Sequence, residues 1–299
     1  MKIKFTAILL SAAFLFPSVA KSYPDTPENH LITLRNQMEA ATDTKEKVAI
    51  LQQIEETGTF LGMIYASNLM NDKELKKVAA RTAVHIALRH PEYNGINTRT
   101  ILQNALPYLK KIDKKSVAQY LKQNSGKEEG FVSIFNGKDL TGWKGLVENP
   151  IKRAQMSESE LATAQEKADI QMNEDWKVVD GLLTYVGKGF DNLCTQKQYA
   201  NFEMYVDWRL DPNGKEPDAG IYLRGTPQVQ IWDIARVNVG AQVGSGGLYN
   251  NQKNRSTPTE VADNKLGEWN SFYIKMVGDK VTVLLNGVKV VDNVVLENY

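Results

Sequence analysis

Phe272-Tyr273-Ile274-Lys275-Met276-Val277-Gly278-Asp279-Lys280-Val281-Thr282-Val283-Leu284-Leu285-Asn286-Gly287-Val288-Lys289-Val290-Val291 consists of three strand-length runs separated by two tight turns. Gly278-Asp279 and Asn286-Gly287 tolerate the positive φ that two-residue hairpins demand, and β-branched and aromatic residues fill the runs. The stretch predicts a three-stranded antiparallel meander. The same period of two recurs upstream. Residues 176–179 and 182–186 flank Asp180-Gly181, a type I′ hairpin signal, and 201–210, 220–224 and 228–232 read as further strands. Many short strands with glycine-rich turns predict an antiparallel sandwich. Composition marks off this part of the chain: residues 129–299 hold 17 of the 21 glycines and all five tryptophans.

The first part reads as helices. Val48, Leu51 and Ile54 share one face of a segment that Gly58 ends. Asp72 caps a second helix bearing Leu75, Val78, Ala79, Thr82 and Ile86, which Pro91 and Asn94-Gly95 terminate. A third, 98–111, presents Ile101, Ala105 and Leu109 and carries a kink at Pro107. Short helices in succession suggest a HEAT-like stack, although no clean period is present. The expected layout is a signal peptide at 1–20, a small α-helical region at 21–126, a linker at 125–130 and the sandwich at 131–299. One polar helical stretch, 144–175, interrupts the strands behind the capping box Ser157-x-x-Glu160. It reads as a surface insertion or, more sharply, as a lid.

Charge and rare residues narrow the chemistry. Lys2 and Lys4, an apolar run over 5–16 and Ser18-Val19-Ala20 have the order of a secretory signal, in a run too short to span a bilayer comfortably. This predicts a periplasmic or secreted protein with no membrane span after cleavage. The net charge of +1, split as +2 over 1–20, +4 over 21–128 and −5 over 129–299, gives no basic field for nucleic acid. A single cysteine, Cys194, excludes a disulfide framework and a Cys-based zinc site within the chain. His30, His85 and His90 all precede the strands, so the sandwich can build neither a Ser-His-Asp system nor a His-based metal site. Asp211-Pro212-Asn213-Gly214 could form a calcium loop but is short of carboxylates; no other cofactor is expected. Gly244-Ser245-Gly246-Gly247 lacks the following helix of a phosphate loop and reads as backbone left bare for close approach to a ligand.

Strand alternation supplies the candidate site. In 201–210, Phe202, Met204, Val206, Trp208 and Leu210 point one way, and Glu203, Tyr205, Asp207 and Arg209 the other. In the next two strands Ile221, Leu223, Val229 and Ile231 are core, leaving Tyr222, Arg224, Gln228, Gln230 and Trp232 outside. If the three strands are neighbours, these groups share one face. Rings that stack on C–H faces beside amides, carboxylate and guanidinium suit a sugar. The alternative is a solvated outer sheet face.

Phe131-Val132-Ser133-Ile134-Phe135-Asn136-Gly137-Lys138-Asp139-Leu140-Thr141-Gly142-Trp143 resembles the opening motif of the DUF1080, or 3-keto-disaccharide hydrolase, domain family. Trp176-x-Val178-x-Asp180-Gly181-x-Leu183, Ala219-Gly220-Ile221-Tyr222-Leu223-Arg224, Val229-Gln230-Ile231-Trp232-Asp233, Gly267-Glu268-Trp269-Asn270 and Leu285-Asn286-Gly287 follow in the same order. The resemblance covers 131–299 and implies a mainly β, concanavalin-like antiparallel jelly roll, here preceded by the helical region. It also implies breakdown of 3-keto-glycosides made by a separate oxidoreductase. Many relatives have Glu at the position of Gln228. They also continue past the position of Tyr299 through a Trp-Asp-Arg motif and a final strand region with His, so the resemblance implies that closing strands are missing and an edge is exposed.

A ketone at C3 acidifies the C2 hydrogen, so a base can abstract it and the enolate can expel the glycosidic oxygen from C1. Hydration then gives net hydrolysis. This needs a base, an enolate stabiliser and an acid, and no histidine. The expected roles are Asp207 as base or acid, Arg224 as oxyanion stabiliser, and Gln230 and Trp232 as sugar binders. Arg209, Tyr222 and Gln228 complete the contacts, and Asp233 or Glu268 serves as second acid–base, unless Glu268 only fixes a turn. Two other functions stand beside this one: a conventional two-carboxylate glycoside hydrolase, and a carbohydrate-binding module without catalysis. The helical region either packs on the sandwich or binds a protein partner.

Overall fold

The computed structural model describes residues 23–124, 130–187, 192–215, 217–225 and 228–297. The expected signal peptide at 1–20 and nearly all of the expected linker lie outside the described residues.

Among these residues the first part forms six α-helices: α1 (Pro27–Ala40), α2 (Thr44–Thr57), α3 (Phe60–Asn68), α4 (Lys76–Arg89), α5 (Ile96–Ala105) and α6 (Lys111–Gln123). Their ends follow local chemistry. Thr26 and Asp43 accept from the free amides of α1 and α2, and Gly58 closes α2 in the left-handed region at φ 63°. The expected helix over 98–111 is two elements. Proline has no N–H to donate to the α-helical ladder, so α5 stops at Ala105, a 3₁₀ turn carries Pro107, and α6 begins at Lys111. Taken as successive pairs α1/α2, α3/α4 and α5/α6, α4 packs against its own partner α3 and against α2, α5 and α6 of the pairs on either side. Ala79, Ala80, Ala83 and Ala87 on α4 are wholly buried and let the four partners approach closely.

The second part runs β1 (Trp143–Gly145), α7 (Pro150–Gln155), α8 (Glu158–Asp175), β2 (Trp176–Val179), β3 (Leu182–Tyr185), β4 (Leu193–Thr195), β5 (Phe202–Trp208), β6 (Asp218–Tyr222), β7 (Gln228–Trp232), β8 (Leu248–Tyr249), β9 (Asn270–Val277), β10 (Lys280–Leu285) and β11 (Val288–Val295). The meander is present; of the three expected hairpins, Asp180-Gly181 at 51° and 77° and Asn286-Gly287 at 51° and 82° have positive φ at both central residues, and Gly278-Asp279 at Gly278 alone, at 62°. All pairings are antiparallel. One sheet has the order β11-β10-β9-β5 and a second the order β6-β7-β8, and two further ladders join β1 to β4 and β2 to β3. The inner faces of the two larger sheets meet in one core. Met204, Phe272, Ile274 and Val283 come from the first sheet, and Ile221, Val229, Ile231 and Leu248 from the second. This is the antiparallel jelly-roll sandwich behind a helical region.

The 144–175 stretch forms α7 and α8, with the Ser157–Glu160 capping box in place. It is stapled down. Gly145 N donates to Asp169 Oδ1 at 2.8 Å, and Gln165 Nε2 donates to Gly145 O at 2.9 Å, so α8 lies on β1 as a surface insertion.

The helical region covers the outer face of the four-stranded sheet. Phe60 stacks on Tyr205 at 5.2 Å and meets Phe131 at 4.7 Å and Tyr93 at 5.3 Å, and Tyr205 in turn meets Tyr273 at 5.1 Å. Asn264 Nδ2 donates to Asn29 Oδ1 at 2.7 Å, and Thr26 Oγ1 donates to Asn286 O. Burial raises the pKa of Tyr205 and Tyr273, and takes Tyr93 up to about 12.

Candidate functional site

The three strands expected to share a face do not. β5 belongs to one sheet, and β6 and β7 to the other. Their polar residues therefore occupy opposite outer surfaces, with the apolar core between them. Asp207 lies against the helical region, where Arg35 Nη1 donates to its Oδ2. The adjoining cavity, lined by Glu28, Arg35, Phe60, Tyr93, Tyr205 and Asp207 among others, holds about 20 Å³. That is room for about one water and not for a sugar. Asp207 is thus a seam residue, which corrects its expected role.

Arg224 and Glu268 are also elsewhere. Arg224 has φ 55° and donates from Nη2 to Gly278 O in the β9–β10 turn. Register places Phe202, near that turn, five residues from Asp207, roughly 17 Å along the strand. Glu268 sits in the turn entering β9, where its Oε1 accepts from the Tyr23 hydroxyl at 3.1 Å. Arg209 lies over the Trp269 ring at 4.8 Å. None of the four joins β6 and β7.

What the fold does gather is the outer face of the three-stranded sheet. Register sets Asp218 opposite Trp232, Gly220 opposite Gln230, Tyr222 opposite Gln228, and Gln228 opposite Tyr249. Alternation then puts all seven on one side, with Val229, Ile231 and Leu248 in the core behind them. Tyr222 and Tyr249 are exposed, and Trp232 meets Tyr249 edge-to-face at 5.9 Å. Gln228 Nε2 donates to Gln230 Oε1, and Gln230 Nε2 donates to Asp218 Oδ1 at 2.7 Å. Arg236 Nη1 stands 3.8 Å from the other Asp218 oxygen, Oδ2. Gln230 is only 2% exposed and lies beneath the face, out of reach of anything on it. Asp218, 41% exposed in its side chain, is the accessible carboxylate of the set.

Asp233 borders this face but is turned to local work: its Oδ1 accepts from Ala235 N at 3.1 Å. The glycine-rich loop is likewise occupied by protein. Gly246 N donates to Gln230 O at 2.8 Å, and a Cβ on Gly246 would come 2.6 Å from Val290. The bare backbone admits the core and leaves no room for a ligand. At the expected calcium loop the Asp211 carboxylate accepts from Asn213 N at 2.9 Å, closing its own turn. Among the described residues no three His, Cys, Asp or Glu side chains are grouped to hold a metal ion, and no helix is long and apolar enough to cross a membrane.

Sequence reading missed Asp218, Arg236 and Tyr249. Asp218 was within reach, because 218, 220 and 222 alternate on one face once the strand is begun two residues earlier. Tyr249, in a two-residue strand, gives no periodic signal.

A solved structure from Parabacteroides distasonis ATCC 8503, described as a candidate glycosyl hydrolase, is 24% identical over 56% of this chain and 72% of that one, at a TM-score of 0.35. A second candidate glycosyl hydrolase from the same organism is 25% identical over 41% of this chain and 64% of its own length, also at 0.35. The chain thus spans less than two thirds of that second protein. No curated protein matches. The model of one family, the 3-keto-alpha-glucoside-1,2-lyase-like domain, matches residues 130–299, more than half of the chain. With that match and its antiparallel jelly roll, the chain belongs to this family of carbohydrate-active domains.

Proposed function

We propose that this chain is an exported enzyme that cleaves 3-keto-glycosides on the outer face of β6–β8. The observation that carries the reading is the linked set Asp218–Gln230–Gln228 between Tyr222, Tyr249 and Trp232, with Asp218, Tyr222 and Tyr249 exposed. In the proposed reaction the Asp218 carboxylate removes the proton from C2, and the electron pair delocalises onto the C3 oxygen. Arg236 and the Gln228 amide are the donors at hand for that enolate. Collapse of the enolate forms the C1–C2 double bond, and the C1–O bond breaks. The departing alkoxide takes a proton, either from Asp218 or from water, as it leaves as the alcohol. Adding water across the double bond completes hydrolysis. The aromatic rings serve as stacking surfaces for the pyranose.

The test is incubation with a 3-keto-glucoside and with its unoxidised parent, assaying released aglycone. Release is expected from the keto sugar alone. Asp218→Asn is expected to cut the rate by about a thousandfold, within the range of a general base, and Asp207→Asn to turn over at close to the parent rate. Release from the unoxidised sugar would establish a conventional hydrolase, and binding without release a carbohydrate-binding module; either outcome removes the elimination. N-terminal sequencing of protein from the periplasm or medium tests export, which predicts loss of residues 1–20.

A further inference from the structure

The connection from β7 to β8 is built like a fixed rim. Arg236 N donates to Asp233 O at 3.0 Å, Val239 N to Arg236 O at 3.2 Å, and Gly244 N to Ala241 O at 3.0 Å. Two 3₁₀ turns, Val237–Val239 and Ala241–Val243, are anchored by the wholly buried Ala241. Such a tied loop could hide its apolar side chains, yet Val237 is 62%, Val239 44% and Val243 36% exposed. Burying a valine fully is worth about 1.5–3 kcal/mol, so three held in water forgo considerable stability. Being β-branched, they are also stiff, and little rotamer entropy is lost when something covers them.

Two connections tie this loop to the face described above. It springs directly from Trp232, whose N–H donates to Ser245 Oγ at the loop's other end at 2.9 Å. From its middle, Arg236 reaches back to Asp218. The exposed valines therefore sit on a loop that is tied at one point to the indole strand and at another to the carboxylate.

We infer that this rim is the subsite for the departing group, and that the group is an apolar alcohol such as a benzyl or longer alkyl aglycone, not a second sugar. The inference rests on the reading of β6–β8 as the 3-keto-glycoside site. A pyranose would present hydroxyls to three side chains that can neither donate nor accept. An apolar aglycone would cover them, with Asn238 and Gln242 left at the edges in water.

The experiment compares benzyl, methyl and glucosyl 3-keto-glucosides on the full chain and on the triple variant Val237→Ser/Val239→Ser/Val243→Ser. Benzyl and methyl alcohols leave with similar ease, so a difference between them reports contact. The wild type is expected to favour benzyl over both others by about tenfold in kcat/KM, the scale of a hydrophobic pocket. The variant should lose that advantage while keeping its methyl rate and its Tm. A glucosyl preference, or a benzyl preference that survives in the variant, overturns the subsite. If nothing is turned over, the same three ligands are titrated calorimetrically. Tighter benzyl binding that the variant loses upholds the subsite while the cleavage reading falls, and equal or absent binding sinks the subsite as well.

Discussion

The two outer faces of the sandwich are made by one rule and differ in what lies against them. On β5 the outward residues Tyr205 and Asp207 meet α3 and α1 through Phe60 and Arg35, with Tyr273 of β9 packed on Tyr205, and these contacts seal the seam. On β6, β7 and β8 the outward residues Asp218, Tyr222 and Tyr249 are exposed, with Gln228 and Trp232 half-buried, beside a fixed loop. Both sets mix aromatic, amide and charged groups. Composition cannot separate an internal seam from a binding face, because each needs apolar rings with a few paired polar groups.

The sharpest way to break that distinction exchanges large rings for alanine on each side. Phe60, at the centre of the seam, is buried to 5% exposure, and its removal leaves a cavity among Tyr93, Phe131 and Tyr205. Phe60→Ala is expected to lower unfolding stability by about 3–5 kcal/mol and to leave glycan binding intact once the protein is folded. Trp232→Ala should do the reverse, with binding lost and a loss in stability of only about 1 kcal/mol, since the ring is half-exposed. Denaturant titration and calorimetry on both variants decide it. Equal effects in both assays would mean that the faces are not functionally distinct.

The extent to which sequence foretold this follows from what alternation encodes. Period two assigns each side chain to core or outside, and it placed Leu223, Val229 and Ile231 inside correctly. It carries no information on which sheet a strand joins. Asp207 and Gln230 could therefore be assigned to one platform although the core separates them, because sheet membership depends on crossovers such as 209–217, whose residues are not periodic. The hairpins were legible for a different reason: Asp180-Gly181 and Asn286-Gly287 specify their geometry within two residues. Pro107 was read as a kink and ends the helix instead.

Alkaline titration probes the seam without any substitution. Burial first, then the nearby Glu92 and Glu28 carboxylates, hold the Tyr93 pKa at about 12 against an ordinary value of 10.0. Burial raises Tyr205 and Tyr273 as well, and Tyr273 also donates to Glu203. A raised folded pKa means that the folded state holds the proton more tightly. Stability from these tyrosines is therefore complete below pH 10 and drains away as pH climbs through 12. Hydrogen exchange should show α1 and α3 losing protection in that window, together with the rise of tyrosinate absorbance. If the β6–β8 amides lost protection first, the seam would not be the alkali-sensitive element.

The smallest effect is expected at Gly220. It lies opposite Gln230 on the open face, and a Cβ there would come 2.5 Å from Gln228 Cδ and Oε1. Its backbone lies outside the left-handed region, so alanine fits the strand itself. Gln228 is long and flexible and can swing aside, so unfolding stability should stay within about 0.5 kcal/mol of wild type, as for most substitutions away from the core. The swing would break the Gln228–Gln230 hydrogen bond and loosen the amide that holds Asp218. Losing a hydrogen bond of about 1 kcal/mol corresponds to roughly a fivefold fall in kcat/KM. Gly220→Ala with unchanged kinetics would show that the amide chain does not orient Asp218, and would leave the carboxylate to act alone on its exposed face.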